Sequence, residues 1–531
     1  MLFTAQHITY RDTNTFSKIV LDYSERVEAL RPFYAAPPTE TGIKQAIDAK
    51  RLQHLDRETL VQVLLEQYAS AAQSDVVSAN IQALRSEKTF TICTAHQPNL
   101  FTGPLYVIYK ILHAIQLSTG LKKTFPDYHF VPVYYMGSED ADKEELLHTF
   151  IGGKKIEWHT PQTGAVGRMT IDAPLVRLID AMAGELNVLP FGSEITQQFY
   201  DCYKTGDTIQ NATFQFIHGL FKKFGLIVLI ADHKLFKKAM LPVFEEDMFD
   251  QKPSAIVEKT VTDLSAHYSI QANPRAINLF YLGDGIRNRI VKQDDHFVVQ
   301  ETGLRFTESE LKNELHQYPE RFSPNVILRG LFQETILPNV AFIGGGGELA
   351  YWLQLKNLFD HYTIPFPVLV LRNSFLIIEK KARAYVQKLQ LSNETLFETG
   401  LQIINSILKQ RGNLPVLNGE VTQLISVYED LKKLAAGVDA TLDKHVDALK
   451  ARSLQQLQNL EKKMMRAERK KHDVLQQQVK QLKQTLFPRG GLQERVENFS
   501  SFYAKWGSGF IDALLQQSLS LDQQFTILTE A

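Results

Sequence analysis

The chain has 531 residues, 44% of them hydrophobic and 22% charged, and a formal net charge of −1. A chain this long and this ordinary in composition can bury a large core and should form more than one structural unit. The near-zero charge leaves no basic footprint for nucleic acid or an anionic membrane, and two cysteines, Cys93 and Cys202, cannot supply a disulfide framework or a zinc knuckle. The opening Met1-Leu-Phe-Thr-Ala-Gln-His lacks a basic region followed by an apolar core. No window approaches about eighteen uninterrupted apolar residues, so the expectation is a soluble, cytoplasmic protein with no membrane partner.

Residues 1–88 read as a helical segment packed on the outside of a core. Ser17 to Leu30 and Leu60 to Ala72 carry three-and-four apolar spacing, and Pro37-Pro38 separates them. From Thr89 the pattern changes to strands and helices in alternation. Phe90 to Thr94 reads as a buried strand, and Leu105 to Leu117 as a helix opened by Thr102-Gly103-Pro104, where proline suits the first turn. The loop between them holds His96, Gln97, Asn99 and Thr102. A strand, a polar loop and a helix start make an anion site, because free backbone N–H groups and the helix dipole point outward.

Four further buried strands are expected at Phe130 to Met136, Leu226 to Ile230, Val340 to Ile343 and Phe366 to Leu371. Each runs directly into polar residues: Gly137-Ser-Glu-Asp-Ala-Asp142, Asp232-His233, Gly344-Gly-Gly-Gly-Glu348 and Arg372-Asn-Ser374. The fold class this predicts is α/β, a doubly wound parallel sheet over residues 89–420 with ligands at the carboxyl ends of its strands. Glycine-rich turns near 150–172 and hairpin patterns near 255–325 read as insertions in that core. Residues 421–487 carry a heptad-like seam from Leu424 to Leu486 with charged flanks, a coiled coil with four-residue stutters. Dimerisation through it is favoured over a purely internal role, and 488–531 is expected to return to the core.

The candidates for chemistry cluster at the strand ends. His96 and Asn99 could bind a phosphate or a polarised carbonyl, or His96 could simply cap the loop. Glu139, Asp140 and Asp142 could hold an amine, sugar hydroxyls or Mg²⁺, with a solvated helix start as the plain alternative. The four glycines before Glu348 allow close backbone approach and positive φ angles, in neither a dinucleotide nor a Walker spacing. Arg329 and Arg372 suit phosphate or carboxylate. Arg287 and Arg289 read as weaker candidates on the insertion's surface, His148 as structural, and Cys93 as a core residue.

Several blocks in order resemble the cysteine-adding enzymes of bacillithiol biosynthesis. They are His96-Gln-Pro-Asn-Leu-Phe-Thr-Gly-Pro-Leu-Tyr-Val-Ile-Tyr-Lys110, Gly137-Ser-Glu-Asp-Ala-Asp-Lys-Glu-Glu145 and Ser323-Pro-Asn-Val-Ile-Leu-Arg329. Leu337-Pro-Asn-Val-Ala-Phe-Ile-Gly-Gly-Gly-Gly-Glu-Leu-Ala-Tyr-Trp352 and Leu486-Phe-Pro-Arg-Gly-Gly-Leu-Gln-Glu-Arg495 continue the series. Many members read Gly-Gln-Gln at Ala95-His96-Gln97 and carry proline at Gly346; these departures bear on the role of His96 and loosen the turn.

The resemblance implies a Rossmann-like core, connecting insertions and a C-terminal coiled coil that pairs two subunits. It also implies a ligase that adds cysteine to the amino group of glucosaminyl-malate. Such a ligase activates a carboxylate as an acyl-adenylate or acyl-phosphate, which suggests ATP or ADP as cofactor and leaves any metal unspecified. On that reading His96, Gln97, Glu139 and Asp140 carry catalysis. Asn99, Thr102, Gly103, Asp142, Arg329, Gly344, Gly345, Gly347, Glu348, Tyr351, Arg372 and Asn373 bind substrate or nucleotide. An amide or sugar-nucleotide hydrolase on the same core and a non-catalytic assembly factor remain as alternatives.

Overall fold

The computed structural model describes residues 2–412 and 417–531. Its central sheet has five strands: β1 (Thr89–His96), β2 (His129–Met136), β3 (Ile227–Ile230), β4 (Asn339–Gly344) and β5 (Val368–Leu371). They lie in the order β5-β4-β1-β2-β3, with every pairing parallel. This is the doubly wound, Rossmann-like arrangement expected from the alternation. Every residue of β1 is buried, as a strand covered on both faces requires. Its threonines are not left bare: Thr94 Oγ1 donates to the Ile343 carbonyl at 2.8 Å and Thr91 Oγ1 to Asn339 Oδ1 at 3.3 Å. The winding reverses between β1 and β4, so the crevice for a ligand falls at the carboxyl ends of these two strands.

Helices close the two faces. On one, Ala114, Leu117 and Leu121 of α1 (Tyr106–Thr124) pack with Phe90, Ile92, Phe130 and Ile343. On the other, α2 (Val326–Ile336) and α3 (Gly346–Trp352) lie over the sheet, and Trp352 stacks on Phe342 with ring centroids 4.5 Å apart.

The N-terminal segment differs from its sequence reading. Phe3–Ile8 is a strand, paired antiparallel with Phe525–Glu530 from the other end of the chain. The helix expected over Ser17 to Leu30 stops at Ser24 and gives way to a short 3₁₀ turn. An unexpected helix, Glu40–Lys50, starts after Pro37-Pro38 with Thr39 as N-cap, and its Ile43 and Ile47 are fully buried in the sheet's core. Part of this segment is therefore core rather than an outer layer. Gly42 and the surrounding charges hid the helix from apolar periodicity.

Both insertions exist as crossover connections. His148–Ile151 and Lys154–Glu157 form a hairpin turned by Gly152 and Gly153 at φ 55° and 78°. The second begins with a helix, Lys252–Ser265, instead of strands. It then builds a five-stranded antiparallel sheet from Leu279–Gly283, Ile286–Gln293, His296–Val299, Arg305–Phe306 and Phe322–Pro324.

Residues 378–490 make a separate compact unit, beginning before the coiled-coil boundary read from sequence at 421. Within it α4 (Asn418–Val438) and α5 (Asp443–Lys470) fold back on each other. Lys432 pairs with Asp447 at 2.7 Å, Glu429 with Lys450, and Tyr428 Oη with Ser453 Oγ at 2.7 Å, which makes the hairpin antiparallel. In α6 (Asp473–Leu486), Leu475 and Val479 pack against Ile403 and Ile407. The seam read from sequence thus divides. Val446 turns inward, whereas Val427, Leu431, Leu434 and Val438 are 54%, 45%, 70% and 84% exposed.

Residues 491–531 belong to the first unit and strap its central loop. Phe101, Thr102 and Gly103 all take positive φ, at 52°, 71° and 65°. A β-branched residue there is an outlier that surrounding contacts must hold in place. Asn498 does so: its Nδ2 donates to the carbonyls of Phe101 at 2.8 Å and Gly103 at 2.7 Å. The Leu105 N–H in turn donates to the Glu497 carbonyl at 2.8 Å. Asn498→Ala strands two buried carbonyls, each costing about 1–3 kcal/mol. A loss of unfolding free energy of that order, read from a lower urea midpoint at unchanged slope, is expected; an unaltered midpoint would mean that the loop supports itself.

Candidate active site

The switch-point crevice opens into a cleft of about 720 Å³. One wall grows from β1, α1 and α3. Lys110, on the otherwise apolar face of α1, is 2% exposed; its Nζ donates to the Ala95 carbonyl at 2.8 Å and pairs with Glu348. Glu348 also accepts from the Gly345 N–H at 2.8 Å. The carboxylate thus already caps the start of α3, and Lys110 neutralises it. Burial lowers the Lys110 pKa, and Glu348 opposes the shift.

His96 ends β1 beside the Tyr106 ring, with centroids 5.3 Å apart. Burial first, then the Lys110 ammonium, push its pKa well below the usual imidazole value, against the nearby Gln97 amide. It is therefore neutral at pH 7, and its Nε2 is buried with no hydrogen-bond partner. Arg329, from α2, has its guanidinium 5.9 Å from the ring centroids of both Tyr135 and Tyr351 and donates through Nη2 to the Tyr351 hydroxyl. Its Nη1 is likewise buried without a partner. Arg372 lies 4.9 Å from the Tyr106 ring centroid and bonds Glu494 of the strap at 2.7 Å.

The opposite wall is acidic but paired. Asp140 accepts from Gln97 Nε2 at 3.1 Å, the Ala141 N–H at 2.8 Å and Arg287 Nη1 at 3.3 Å. Glu139 pairs with the fully buried Lys237, which reaches Asp232 at 3.2 Å. Asp232 is gripped by both arms of Arg168, at 2.7 and 2.8 Å. Burial raises the Glu139 pKa, with Lys237 opposing. The Asp232 carboxyl stays low because Lys237 and Arg168 outweigh its burial.

Of the residues singled out from sequence, His96, Gln97, Asn99, Glu139, Asp140, Arg329, Gly345, Gly347, Glu348, Tyr351 and Arg372 line this cleft. Five do not. Thr102 and Gly103 lie under Asn498, and the Leu105 N–H at the start of α1 is taken by the Glu497 carbonyl, while Pro104 and Tyr106 reach the cleft. Asp142 caps the short helix Lys143–Leu146, accepting from the Glu145 N–H at 3.1 Å. Asn373 donates to the Leu519 carbonyl at 3.1 Å, and its N–H to His113 Nδ1 at 3.1 Å. Gly344 is held small by packing, since a Cβ there would sit 2.9 Å from Leu349 and Phe342 side-chain atoms. None of Gly344 to Gly347 uses a positive φ.

Sequence reading missed Lys110, Tyr106 and Lys237, and placed Arg287 on the surface. The Arg287 side chain is 11% exposed and stacks 4.1 Å over Phe280. Lys110 did carry a signal, a lone cation inside the apolar run Tyr106-Val-Ile-Tyr-Lys-Ile-Leu112. Lys237 carried none.

A doubly wound parallel sheet with paired charges around a switch-point cleft defines a Rossmann-like protein built to hold a small polar ligand. The family model described as the N-terminal Rossmann-like domain of bacillithiol biosynthesis BshC matches residues 3–373, and that of its C-terminal coiled-coil domain matches 375–530. The chain belongs to the BshC family of bacillithiol biosynthesis. A relative from Flavobacterium johnsoniae named "Putative cysteine ligase BshC" is 37% identical over 98% of this chain and 99% of its own. Relatives of the same name from Cytophaga hutchinsonii and Chlorobaculum tepidum are 38% and 30% identical, each over 94% of both chains. No helix among the described residues is long and apolar enough to cross a membrane.

Because the folded pKa of His96 is depressed, the unfolded chain takes up this proton first as pH falls. Its contribution to stability is complete above about 6.5 and is lost as pH drops below that value toward the folded pKa. His96→Gln should flatten the decline of stability between pH 6.5 and 5 by up to about 1.4 kcal/mol per pH unit. Urea unfolding at each pH reads the difference; parallel curves would place a protonated imidazole in the native cleft.

Proposed function

We propose that this cleft joins the carboxylate of cysteine to the amino group of glucosaminyl-malate. The observation that carries the reading is a pair of buried, partnerless nitrogen atoms, Arg329 Nη1 and His96 Nε2, on residues that line the same cleft as Asp140. A buried guanidinium with a free arm suits a carboxylate or phosphoryl oxygen, because leaving it unpaired is costly. The name borne by the relatives, a cysteine ligase, agrees with that chemistry.

In amide formation the acceptor's ammonium first loses one proton to solvent; the free amine nitrogen then bonds to the carboxyl carbon, one carboxyl oxygen leaves with the activating group, and the nitrogen gives up a second proton. Arg329 holds the carboxylate. Asp140 receives the incoming ammonium. His96, neutral at pH 7, offers a lone pair at Nε2 for the proton released as the bond forms. Arg329 keeps the local field positive for the departing oxygen. A bound nucleoside triphosphate would supply the leaving group, and the cationic lining of Arg329, Arg372 and Arg495 suits its phosphates better than the capped start of α3 does.

Incubating the protein with cysteine, glucosaminyl-malate and ATP should give a product heavier by one cysteinyl group, detected by mass spectrometry. Breakdown of an amide or sugar nucleotide without ATP would favour the hydrolase alternative, and no reaction at all the assembly factor. Arg329→Lys keeps the charge and loses the fork. It should raise KM for cysteine roughly ten- to a hundredfold, in line with the loss of a charge-assisted bond worth about 1.5–3 kcal/mol. An unchanged KM would remove Arg329 from the carboxylate site.

We further propose that two copies pair through the outer stripe of the helical hairpin. What supports this is that Val427, Leu431, Leu434 and Val438 follow a three-and-four spacing on α4 while its inner face is already used by α5. A row of exposed branched residues is a poor surface to leave in water. Leu434→Glu with Val438→Glu should shift the particle toward monomer in light scattering while the helical circular-dichroism signal is kept. A dimer that survives both changes would assign the contact elsewhere.

A further inference from the structure

Beside the main cleft lies a second cavity of about 330 Å³, inside the antiparallel insertion. The two share Asp140, Arg287, Asn325 and Val326. Arg275, Arg287 and Arg289 all face the side cavity, and Asp140, at the boundary, is the only carboxylate in its lining among the described residues. Arg287 and Arg289 are two apart on the strand Ile286–Gln293, so alternation sends both to one face. Arg287 is nearly buried, its Nε has no hydrogen-bond partner, and it spends one weak 3.3 Å bond on Asp140.

The cavity's floor is rigid. Asn278 is fully buried; its Oδ1 accepts from the Arg275 N–H at 3.0 Å and from Asn325 Nδ2 at 2.9 Å, and its Nδ2 donates to the Arg275 carbonyl at 2.9 Å. Asp247 in turn accepts from the Asn278 N–H at 2.6 Å and from its Nδ2 at 2.9 Å. The loop that carries Arg275 is therefore built, not merely exposed.

We propose that this side pocket takes the dicarboxylate end of the acceptor, with the neighbouring ammonium received by Asp140 at the boundary. The inference rests on the ligation reading above and assigns the acceptor's direction in the cleft. Three guanidinium groups complement two carboxylates, and guanidinium forks match carboxylate geometry. In glucosaminyl-malate the malyl group hangs from the sugar carbon next to the one that bears the amine. A molecule seated with its malyl group among the arginines presents its ammonium a few bonds away, where Asp140 faces both cavities. Binding then exchanges partners: a carboxylate of the acceptor takes Arg287, and Asp140 is freed to pair with the amine. Cysteine is left the opposite side of the main cleft, with its carboxylate at Arg329.

The test uses Arg275→Gln with Arg289→Gln in the full chain. Both side chains are exposed, so the variant should fold as the parent does, and the unfolding midpoint checks this. Calorimetric titrations with L-malate, with inorganic phosphate and with glucosaminyl-malate are compared for parent and variant. The expected result is at least a tenfold loss of affinity for L-malate and for glucosaminyl-malate, with L-malate competing against glucosaminyl-malate on the parent. In turnover assays KM for the acceptor should rise while KM for cysteine and the saturated rate hold.

Equal acceptor affinity in parent and variant overturns the proposal. So does a loss of phosphate binding with L-malate binding kept, which would make the pocket a phosphoryl site. The titrations need no turnover, so a parent protein that binds L-malate through these arginines yet ligates nothing would sink the ligation reading alone.

Discussion

The cleft depends on a contact between parts of the chain that are far apart in sequence. Three successive residues, Phe101, Thr102 and Gly103, sit at positive φ between the first core strand and its helix. The loop's own bonds, from the Thr102 N–H to the Asn99 carbonyl and the Gly103 N–H to the Leu100 carbonyl at 3.0 Å each, leave the Phe101 and Gly103 carbonyls to be met from elsewhere, and the Thr102 hydroxyl is buried without a partner. Asn498 donates to those two carbonyls, while Glu494 next to it accepts from Arg372 and from the Ser374 hydroxyl. One strap therefore fixes the turn after β1 and the turn after β5 together. The strap also takes the Leu105 N–H at the start of α1, and the ligand space opens on the side of Tyr106, His96 and Arg329.

Around that space, charge is arranged in closed pairs with a few open ends. Lys110 with Glu348, Arg372 with Glu494, and Lys237 with Glu139 are buried ion pairs. Such pairs add little net stability, because desolvation consumes the attraction between partners. Their effect is to hold side chains in one geometry in a region of low dielectric. The open ends on residues lining the cleft, Arg329 Nη1, His96 Nε2, Arg287 Nε and Asn99 Oδ1, are then the atoms left to meet a ligand. A preorganised wall of this sort needs no rearrangement when charge develops on a substrate.

Much of the fold was legible because parallel strands are buried on both sides. A strand such as Thr89–His96 or Val368–Leu371 must read as an unbroken apolar or β-branched run, and the polar residues after it must mark its carboxyl end. That logic locates His96, Asp140, Glu348 and Arg372 from the sequence alone. It failed where periodicity was weak or ambiguous. The helix Glu40–Lys50 mixes glycine and charge with its buried isoleucines, and the hairpin helices carry two apolar stripes where one seam was read. Cα-level alternation likewise could not say that Arg287 points inward, because burial of its side chain depends on Phe280 and Asp140 arriving from elsewhere.

The sequence by itself determined the class of fold, the polar strand ends and the family, since each follows from local pattern or from ordered blocks of residues. Which of those polar residues share one cavity was decided only in three dimensions. Thr102, Asp142 and Asn373 look in sequence like their neighbours in the site, yet Asp142 caps a short helix, Asn373 donates to the Leu519 carbonyl, and Thr102 is buried in the loop that the strap holds. Lys110 and Arg329, far apart along the chain, act on the same imidazole because crossovers bring their helices to one end of the sheet. Spacing along a chain encodes the period of a helix or a strand; it carries no record of which distant carbonyl or carboxylate will fill a hydrogen bond, and that pairing is what separates a structural polar residue from one left free for a ligand.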